Sequence, residues 1–428
     1  MNKSVDPSQA PVLQANSMPA PTWHRLDANG TAIEIPAHLQ YESDFEIELD
    51  GLSLGENDVF EKSIASMQAR LDSVPRSSDA RTVLRAVEEG ASPDDLDIPA
   101  LSTYQTEAIS AEIANDVLQS FETGMGLQTH TYLYEAVQKR TVVQSEANAK
   151  GSAVVRINAQ EGHASVACVD VVAAPGSEVA LSVLLDSQAS DEALAAFTLR
   201  VFAGECSHVS VSTLQTASDA ALVLDDEGIV VDKGARVQVA HRVLGGGRSY
   251  TGLYTDLRGE NSSINTLSRY LGSAEEERDL NYLTKHRGTK TESSLDINGV
   301  LGGSSRKTLR ATIDFVYGCK GAVGNERETV MLADENVENK TVPVILCDED
   351  DVMGNHGATI GHIRPEQRLY LATRGLSDDM IEHLFAEATF EEAALSQHDE
   401  VSRQAVARLA QARGIAAQNW YMAEGEDE

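Results

Sequence analysis

A mainly β core flanked by helical regions is the fold class that this sequence predicts. From about Thr129 to Gly361, short runs of alternating apolar and polar residues are separated by turn residues. Before this core, from about Asn57 to Ser120, and after it, from Arg364, apolar residues recur at helical spacing. More than ten short strands within about 230 residues indicate a sandwich, a barrel, a propeller or a β-solenoid, and periodicity leaves these four open.

The N-terminal 125 residues are predicted to contain a disordered segment and a helical region. Residues 1–20 carry three prolines and no apolar period, so disorder is expected there. The region 21–125 begins with Asn29-Gly30, a strong hairpin turn between short strands. From Asn57 its period is helical. The first apolar stripe consists of Val59, Ile64, Met67, Leu71 and Val74.

The β core is predicted to span residues 126–361 without a helix of normal length. Its strands follow from alternation and from turn residues between them. The predicted strands are THTYLYEAV, RTVVQSEA, SAVVRINAQ, HASVACVDVV, EVALSVLL, FTLRVF, HVSVSTL, ARVQVAHRVL, SINTLSRYL, TLRATIDFV, ETVMLA, TVPVIL and HGATIG.

Residues 362–428 are predicted to form a C-terminal helical domain. Pro365 suits the first turn of a helix, and Gly375 is well placed to end it. Ser377 is a good N-cap for a second helix. A last helix is expected from about Glu400 to Asn419, followed by the acidic tail AEGEDE.

Charge and composition exclude several classes of protein. The net charge of −33 argues against nucleic-acid binding and against anionic membrane surfaces, because both depend on Lys and Arg. This charge provides solubility and would also suit docking to a basic partner. No apolar run approaches the roughly 20 residues of a membrane span, and the N-terminus lacks the apolar segment of a secretory signal. A soluble cytoplasmic protein is therefore predicted.

The cysteines and the glycine-rich pieces point to no metal or nucleotide motif. Cys168, Cys206, Cys319 and Cys347 form no C-x-x-C pair, which argues against a disulfide framework and a structural zinc site. Free thiols in a reducing compartment fit this spacing. The segments GGGR and GCKG lack the spacing of a phosphate-binding loop, so the chain is not expected to be an ATPase itself.

The strongest motif lies where the β core meets the C-terminal helices. NHGATIG, followed by QRLYLATRGLS, resembles the corresponding junction in the SufB/SufD family of SUF iron–sulfur cluster assembly scaffolds. The resemblance extends upstream through SSLDINGVLGGSSRKTLRATIDFVYGCKGAVGNERETVMLADENVENKTVPVI and covers about the last 150 residues well. It implies a right-handed parallel β-helix with helical regions on both sides, which is the order read from periodicity.

The resemblance also implies a function and partners. The chain would be a non-catalytic scaffold that binds a SufC-like ABC-type ATPase and pairs with a SufB-like subunit or with a second copy of itself. No tightly bound cofactor is expected, and an iron–sulfur cluster would be held only transiently at a subunit interface. A β-solenoid enzyme acting on carbohydrates is the alternative from another class. The missing secretory signal and the helical C-terminal region speak against it.

His356 and Cys347 are the candidate ligands for iron or sulfur. The imidazole of His356 could bind iron or relay protons near neutral pH, although a lone histidine is often structural. In the SufD branch the matching histidine faces the SufB partner, where cluster assembly is proposed. Cys347, nine residues earlier, offers a thiolate for iron or persulfide sulfur, although a solenoid cysteine is more often an apolar core residue.

Two departures from the SufB pattern place the chain closer to SufD. SufB carries a cysteine shortly before its TVPYIE-like strand, where this chain has Val337-Glu338-Asn339-Lys340. SufB also carries a glutamate after the corresponding histidine, where this chain has Gly357. In the C-terminal helices, the resemblance makes the region of Arg374, Leu384 and Phe385 the docking site for the ATPase, although these residues could equally pack the tail.

Overall fold

The computed structural model describes residues 11–20, 28–43, 45–73, 121–362 and 365–415. Five helices and 21 strands lie in these segments. The helices are α1 (Val59–Ser73), α2 (Leu127–Val137), α3 (Pro365–Thr373), α4 (Asp378–Leu395) and α5 (Glu400–Ala412). The strands before the core are β1 (Val12–Ala15), β2 (Thr31–Glu34), β3 (Gln40–Glu42), β4 (Glu46–Asp50) and β5 (Ser53–Leu54).

The core consists of sixteen further strands. They are β6 (Thr141–Gln144), β7 (Lys150–Ala159), β8 (His163–Ala173), β9 (Glu178–Ser187), β10 (Ala193–Ala203), β11 (His208–Gln215), β12 (Ala221–Val231), β13 (Arg236–Val243), β14 (Arg248–Leu257), β15 (Ser263–Gly272), β16 (Glu277–His286), β17 (Glu292–Leu301), β18 (Arg306–Phe315), β19 (Ala322–Leu332), β20 (Glu338–Cys347) and β21 (Val352–His362).

These strands wind into a parallel β-solenoid. Even-numbered strands from β6 to β20 stack in one sheet, and odd-numbered strands from β7 to β21 stack in the other. Each core strand from β6 to β19 pairs in parallel with the strand two places further along the chain. Register partners lie 26 residues apart at Leu222–Arg248 and 32 apart at Arg306–Glu338, so one turn of the solenoid uses about 30 residues. The predicted mainly β fold with a parallel β-helix is confirmed.

The interior of the solenoid is a column of small and branched apolar side chains. Parallel strands buried on both faces are rich in Val, Leu, Ile and Ala, and β12 is buried along its whole length. Strand β7 shows the alternating pattern, with Val155 and Ile157 pointing inward and fully buried. The scarcity of aromatic residues therefore has a packing cause, because thin side chains fill the narrow space between the two sheets.

The N-terminal end of the solenoid is closed by the chain itself. Strand β4 pairs antiparallel with β7, and β5 pairs antiparallel with β6. Strands β1 and β2 form an antiparallel pair whose Leu13 and Ile33 pack against the outer face of the even-numbered sheet. Both sheets thus end on strands from the N-terminal region.

Two sequence predictions for the N-terminal region are wrong. Within the segment 1–20, predicted to be disordered, Val12–Ala15 forms β1. Its order comes from long-range contacts, since Asn16 Nδ2 donates to Asp279 Oδ1 at 2.6 Å. Strand β2 directly follows Asn29-Gly30, where a short strand was predicted, but residues 40–54 of the predicted helical region form β3 to β5 instead. The partner strand expected before Asn29-Gly30 lies outside the described residues.

Helix α2 corrects a third prediction, because its sequence THTYLYEAV was predicted as a strand. Thr129 and Leu133, four residues apart, are its fully buried side chains. Alternating tyrosines and leucine imitate a strand, but burial follows the helical period. Tyr41 and Tyr132 meet edge to face beside the helix, with ring centroids 6.2 Å apart. The solenoid proper therefore begins at β6.

Residues 58–122 form a separate compact unit. Its described part contains α1, in which Met67 is fully buried. The rings of Phe60 and Phe121 pack edge to face with centroids 5.2 Å apart. The first predicted apolar stripe thus coincides with a helix, whereas Val74 and the rest of the predicted helical region up to Ser120 lie outside the described residues.

The C-terminal helices begin and end largely as predicted. Helix α3 starts at Pro365, Gly375 follows its end with a φ of +92°, and the Ser377 side chain accepts from the Met380 N–H to cap α4. Phe390 of α4 and Val406 of α5 pack against leucines on the outer face of the odd-numbered sheet. Helix α5 ends at Ala412, with Arg413 as its C-cap and Gly414 at a φ of +75°, so the prediction that it continues to about Asn419 is wrong. The acidic tail lies outside the described residues. Of the described helices, none combines the length and the apolar character needed to cross a bilayer.

Candidate functional site

The C-terminal end of the solenoid is open. Strands β20 and β21 are the last members of the two sheets, and no strand in the described part of the chain pairs with their outer edges. Along β21 ten of eleven residues are exposed, including Met353 and Ile360. A strand edge with exposed apolar side chains is a surface that another chain can extend.

His356 lies in the middle of this exposed strand. Its register partner on β19 is Glu326, which is buried. Because register partners in parallel strands face the same way, His356 continues the inward-facing column of Glu326 at the open end. The strand thus presents an accessible imidazole above a buried carboxyl group.

A buried ionic network lies directly inside the open end. Lys307 Nζ donates to Glu328 and, at 3.0 Å, to Thr341 Oγ1. Burial lowers the pKa of Lys307, although Glu328 opposes this shift. Burial together with the neighbouring Glu328 charge raises the pKa of Glu326 to about 8. Glu326 can therefore give or take a proton near neutral pH beneath His356.

Cys347 lies at the exposed end of β20, in the other sheet from His356. Its Sγ donates to the backbone oxygen of Glu349 at 3.2 Å. Cys319 is buried close by, and burial, Glu349 and Cys347 raise its pKa to about 12. Of these two thiols, only Cys347 is accessible, because Cys319 is packed in the buried apolar cluster around Phe315.

Arg374, Leu384 and Phe385 lie on the C-terminal helices. Leu384 is 44% exposed and Phe385 is half-buried. The Arg374 guanidinium stacks over the Tyr370 ring at 5.1 Å and donates to its hydroxyl oxygen. Leu369, Tyr370 and Met380 are also exposed, so α3 and the start of α4 present an apolar surface that the other described residues leave uncovered.

The open end therefore brings the two predicted ligands near other polar side chains that the sequence analysis did not single out. His356 is close to Glu326, and Cys347 is close to Cys319 and Glu349, whereas Arg374, Leu384 and Phe385 belong to the helices. Sequence reasoning missed the Lys307, Glu328 and Glu326 network. The only signal for it was charge at alternate positions in NERETV, which in a solenoid places Glu326 and Glu328 on the inward face.

Chemically, this end offers donors suited to iron and sulfur. The imidazole of His356 and the thiol of Cys347 are both exposed, and both are common iron ligands. They are presented by two sheets at an edge without a covering strand. A cluster carried as cargo at this edge would need further ligands from another chain.

Comparison with known proteins agrees with this architecture. The family model for the SufBD core domain of the SUF system for FeS cluster assembly matches residues 155–389, more than half of the chain. The chain belongs to the SufBD family. The match begins in β7 and ends in α4, so it includes the open end and His356. Membership supports a role in iron–sulfur cluster assembly.

Individual relatives of this SufBD protein are distant. The SufD iron–sulfur cluster assembly protein of Bacillus subtilis is 24% identical over 157 residues, 37% of this chain and 36% of that protein. Escherichia coli SufD is 26% identical over 170 residues, 40% of each chain. An SufBD family protein of Mycobacterium tuberculosis is 26% identical over 123 residues, 29% of this chain and 14% of that protein. The matches thus span well under half of the curated relatives.

Proposed function

We propose that this SufBD protein is a non-catalytic scaffold subunit of a cytoplasmic SUF iron–sulfur cluster assembly complex. The observation that carries the proposal is the open end of the solenoid, where one strand edge exposes His356, Met353 and Ile360 together. Such an edge favours pairing with a strand of another chain, because main-chain hydrogen bonds supply affinity and side chains supply specificity.

The partner at this edge would be a SufB-like subunit. This chain supplies one imidazole and one accessible thiol there, and SufB-type ligands would supply the rest of the coordination. His356 would act as an iron ligand or as a proton acceptor, with Glu326 beneath it to take up or release the proton. A second copy of this chain at the edge would instead make a homodimer with two identical ligand sets.

The second partner would be a SufC-like ABC-type ATPase on the C-terminal helices. Helix α3 and the start of α4 expose Leu369, Tyr370, Met380 and Leu384 next to Arg374. Exposed apolar side chains beside an aromatic–arginine pair have the composition of interface hot spots. The net charge of −33 would favour a partner with a basic surface.

Co-expression with the two partner candidates from the same source tests both interfaces. The complexes are separated by size-exclusion chromatography with mass detection. We expect the intact chain to carry a SufC-like subunit, and Leu384→Asp to lose it. Leu127→Asp is the matched control, because Leu127 is an exposed leucine on α2, away from the proposed surface. Binding that survives Leu384→Asp would contradict this docking site.

A separate pair of variants tests the strand edge. Ile360→Lys on β21 should abolish pairing with the SufB-like subunit, whereas Val12→Lys on β1 should not. The two residues match in exposure, at 47% and 48%. The mass of the chain alone decides the homodimer alternative, since a dimer lost in Ile360→Lys would favour it. A monomer that binds neither partner would overturn the scaffold proposal.

A further inference from the structure

The solenoid interior contains a second polar cluster, remote from the open end along the chain. Asp225 and Glu227 lie two residues apart on β12 and point to the same side, and His241 faces them from β13 in the other sheet. One ligand atom from each residue lies within 4.8 Å of the other two. All three side chains are buried. Phe197 lies beside Asp225 and Leu253 beside Glu227 in register, whereas His241 lies between Thr213 and Ser268.

Each of the three side chains is held from behind by a hydrogen bond. Gln215 Nε2 donates to Asp225 Oδ2 at 3.0 Å, and Thr213 Oγ1 donates to Glu227 Oε1 at 2.8 Å. His241 Nδ1 lies 3.0 Å from the Tyr282 hydroxyl, which itself donates to Ser268 Oγ. The Tyr282 oxygen therefore accepts from Nδ1–H, and in the neutral imidazole this tautomer leaves the lone pair on Nε2.

The second polar atom of each side chain, which these hydrogen bonds do not use, faces the other two residues of the cluster. Asp225 Oδ1, Glu227 Oε2 and His241 Nε2 are buried and have no hydrogen-bond partner. His241 Nε2 and Glu227 Oε2 are 3.2 Å apart. Within the described part of the chain, no lysine or arginine forms an ion pair with either carboxylate. With a neutral His241, the two buried carboxylates have no counter-charge, which costs several kcal/mol unless protons or a cation enter the cluster.

We propose that Asp225, Glu227 and His241 bind one divalent transition-metal ion inside the solenoid. Ligands about 2.1 Å from a common ion are about 3.4 Å apart in tetrahedral geometry, which the 3.2 Å separation of Nε2 and Oε2 already approaches. Two carboxylates and one imidazole suit Mn²⁺, Fe²⁺ or Zn²⁺. The hydrogen bonds from Gln215, Thr213 and Tyr282 are the outer-shell contacts that orient metal ligands.

The site would stabilise the solenoid by bridging its two sheets. It is independent of the scaffold proposal, and it departs from the expectation of no tightly bound cofactor. The competing arrangement has no ion and holds protons instead. Burial raises the pKa of Asp225, and although burial lowers that of His241, Tyr282 and Glu227 outweigh it and raise the pKa. A metal ion would displace these protons, because ligands bind in their deprotonated forms.

Metal content of the full-length chain tests the proposal directly. Because the site is enclosed, the ion is supplied during expression, in separate cultures supplemented with Mn²⁺, Zn²⁺ or, under anaerobic conditions, Fe²⁺. The chain is purified without chelators and its metal content is measured by mass spectrometry. We expect about one equivalent of one of these ions per chain, and at least a tenfold loss in His241→Gln.

The matched control is His286→Gln. His286 is equally buried, but its two ring nitrogens contact Thr291 Oγ1 at 2.8 Å and Ser293 Oγ at 2.9 Å, so it has no nitrogen to offer a metal. This variant should keep the full metal content. His356→Ala should also keep it, which separates the interior site from binding at the open end.

The double variant Asp225→Asn, Glu227→Gln guards against a loss caused by misfolding. It preserves side-chain volume and removes both buried charges, so it should fold, hold no metal, and melt at or above the temperature of the metal-free wild type. The metal-loaded wild type should melt higher still. Two results would overturn the proposal: wild-type protein that contains none of the three ions, or equal metal content in His241→Gln and His286→Gln. The cluster would then be stabilised by bound protons and not by a metal ion.

Discussion

The two ends of the solenoid differ in how they finish and in what they enclose. At the N-terminal end, β4 and β5 cover the first turn, and Val155 and Ile157 fill its interior. At the C-terminal end, no described strand covers β20 or β21, and the turn before the last, formed by β18 and β19, encloses Lys307 and Glu328. The first end is closed and apolar, whereas the second is open and ionic.

This difference shows that the covered end of the solenoid and the end with buried charged side chains lie at opposite ends of one repetitive fold. An apolar, covered turn contributes stability and little else, because its inward-facing side chains carry no titratable group. An ionic turn next to an uncovered edge costs desolvation energy, which its buried ion pair offsets only in part. The contrast can be tested by substitutions at both ends.

The largest effect is expected at the ionic end, for Lys307→Met. This change removes the cation and leaves Glu328 buried and uncompensated, which typically costs about 3–5 kcal/mol. Urea unfolding of the two proteins measures the loss. The double variant Lys307→Met, Glu328→Gln should recover most of it, since neither charge is then buried. A double variant as unstable as the single one would show that packing, and not charge, determines the loss.

A matched pair of isoleucines compares the two ends more directly. Ile157→Ala should destabilise by about 2–4 kcal/mol, because it opens a cavity in the covered interior. Ile360→Ala on the exposed strand should change the free energy of unfolding by less than about 0.5 kcal/mol. The same urea titration measures both. Similar losses would mean that β21 is more tightly packed than its 47% exposed Ile360 indicates.

The pH dependence of stability provides a smaller effect at the ionic end. Glu326 has a folded pKa of about 8 against 4.5 for an ordinary glutamate, so the folded state holds a proton that the unfolded chain releases. Stability should therefore fall as pH rises from about 4.5 to 8 and then level off, by about 1–3 kcal/mol. Melting curves of wild type and Glu326→Gln across this range should converge at the acid end and diverge towards pH 8.

His356→Ala should have the smallest effect on stability, within about 0.5 kcal/mol, because the side chain is exposed. If the scaffold proposal holds, the same variant should still assemble with its partners but reconstitute several-fold less iron–sulfur cluster, measured by visible absorbance. Asn355→Ala, one residue earlier on the same exposed strand, is the control. An equal decrease in both variants would argue for a disturbed strand rather than a lost ligand.

Much of the fold could be predicted from the sequence because strands and helices leave different periods. Strands β7, β9 and β11 alternate clearly, and α3 and α4 carry their own caps. Strand β12 was missed, because ALVLDDEGIVV is buried on both faces and places three acidic residues in its centre. The repeat was hidden too, since the turn length varies from 26 to 32 residues.

The site was less predictable than the fold. His356 and Cys347 were singled out through a family resemblance and their ligand chemistry. Glu326, Glu328 and Lys307 come together only when β18 and β19 are wound into the same turn. Local sequence carries no record of that juxtaposition, because the partners are about 20 residues apart and lie in different sheets. The interior group of Asp225, Glu227 and His241 was hidden for the same reason.

The uncovered edge of β21 has a consequence for the lifetime of the chain. Each inner turn of a solenoid is held by two neighbours, but the last turn is held by one. We expect amide hydrogen exchange to be fastest in β21 and to slow progressively towards the covered turns. A partner strand would turn this fraying terminus into an inner turn. Copies made in excess of their partner would continue to unfold locally at this edge and would be degraded by proteases first. The amount of partner would therefore determine the steady-state amount of this protein.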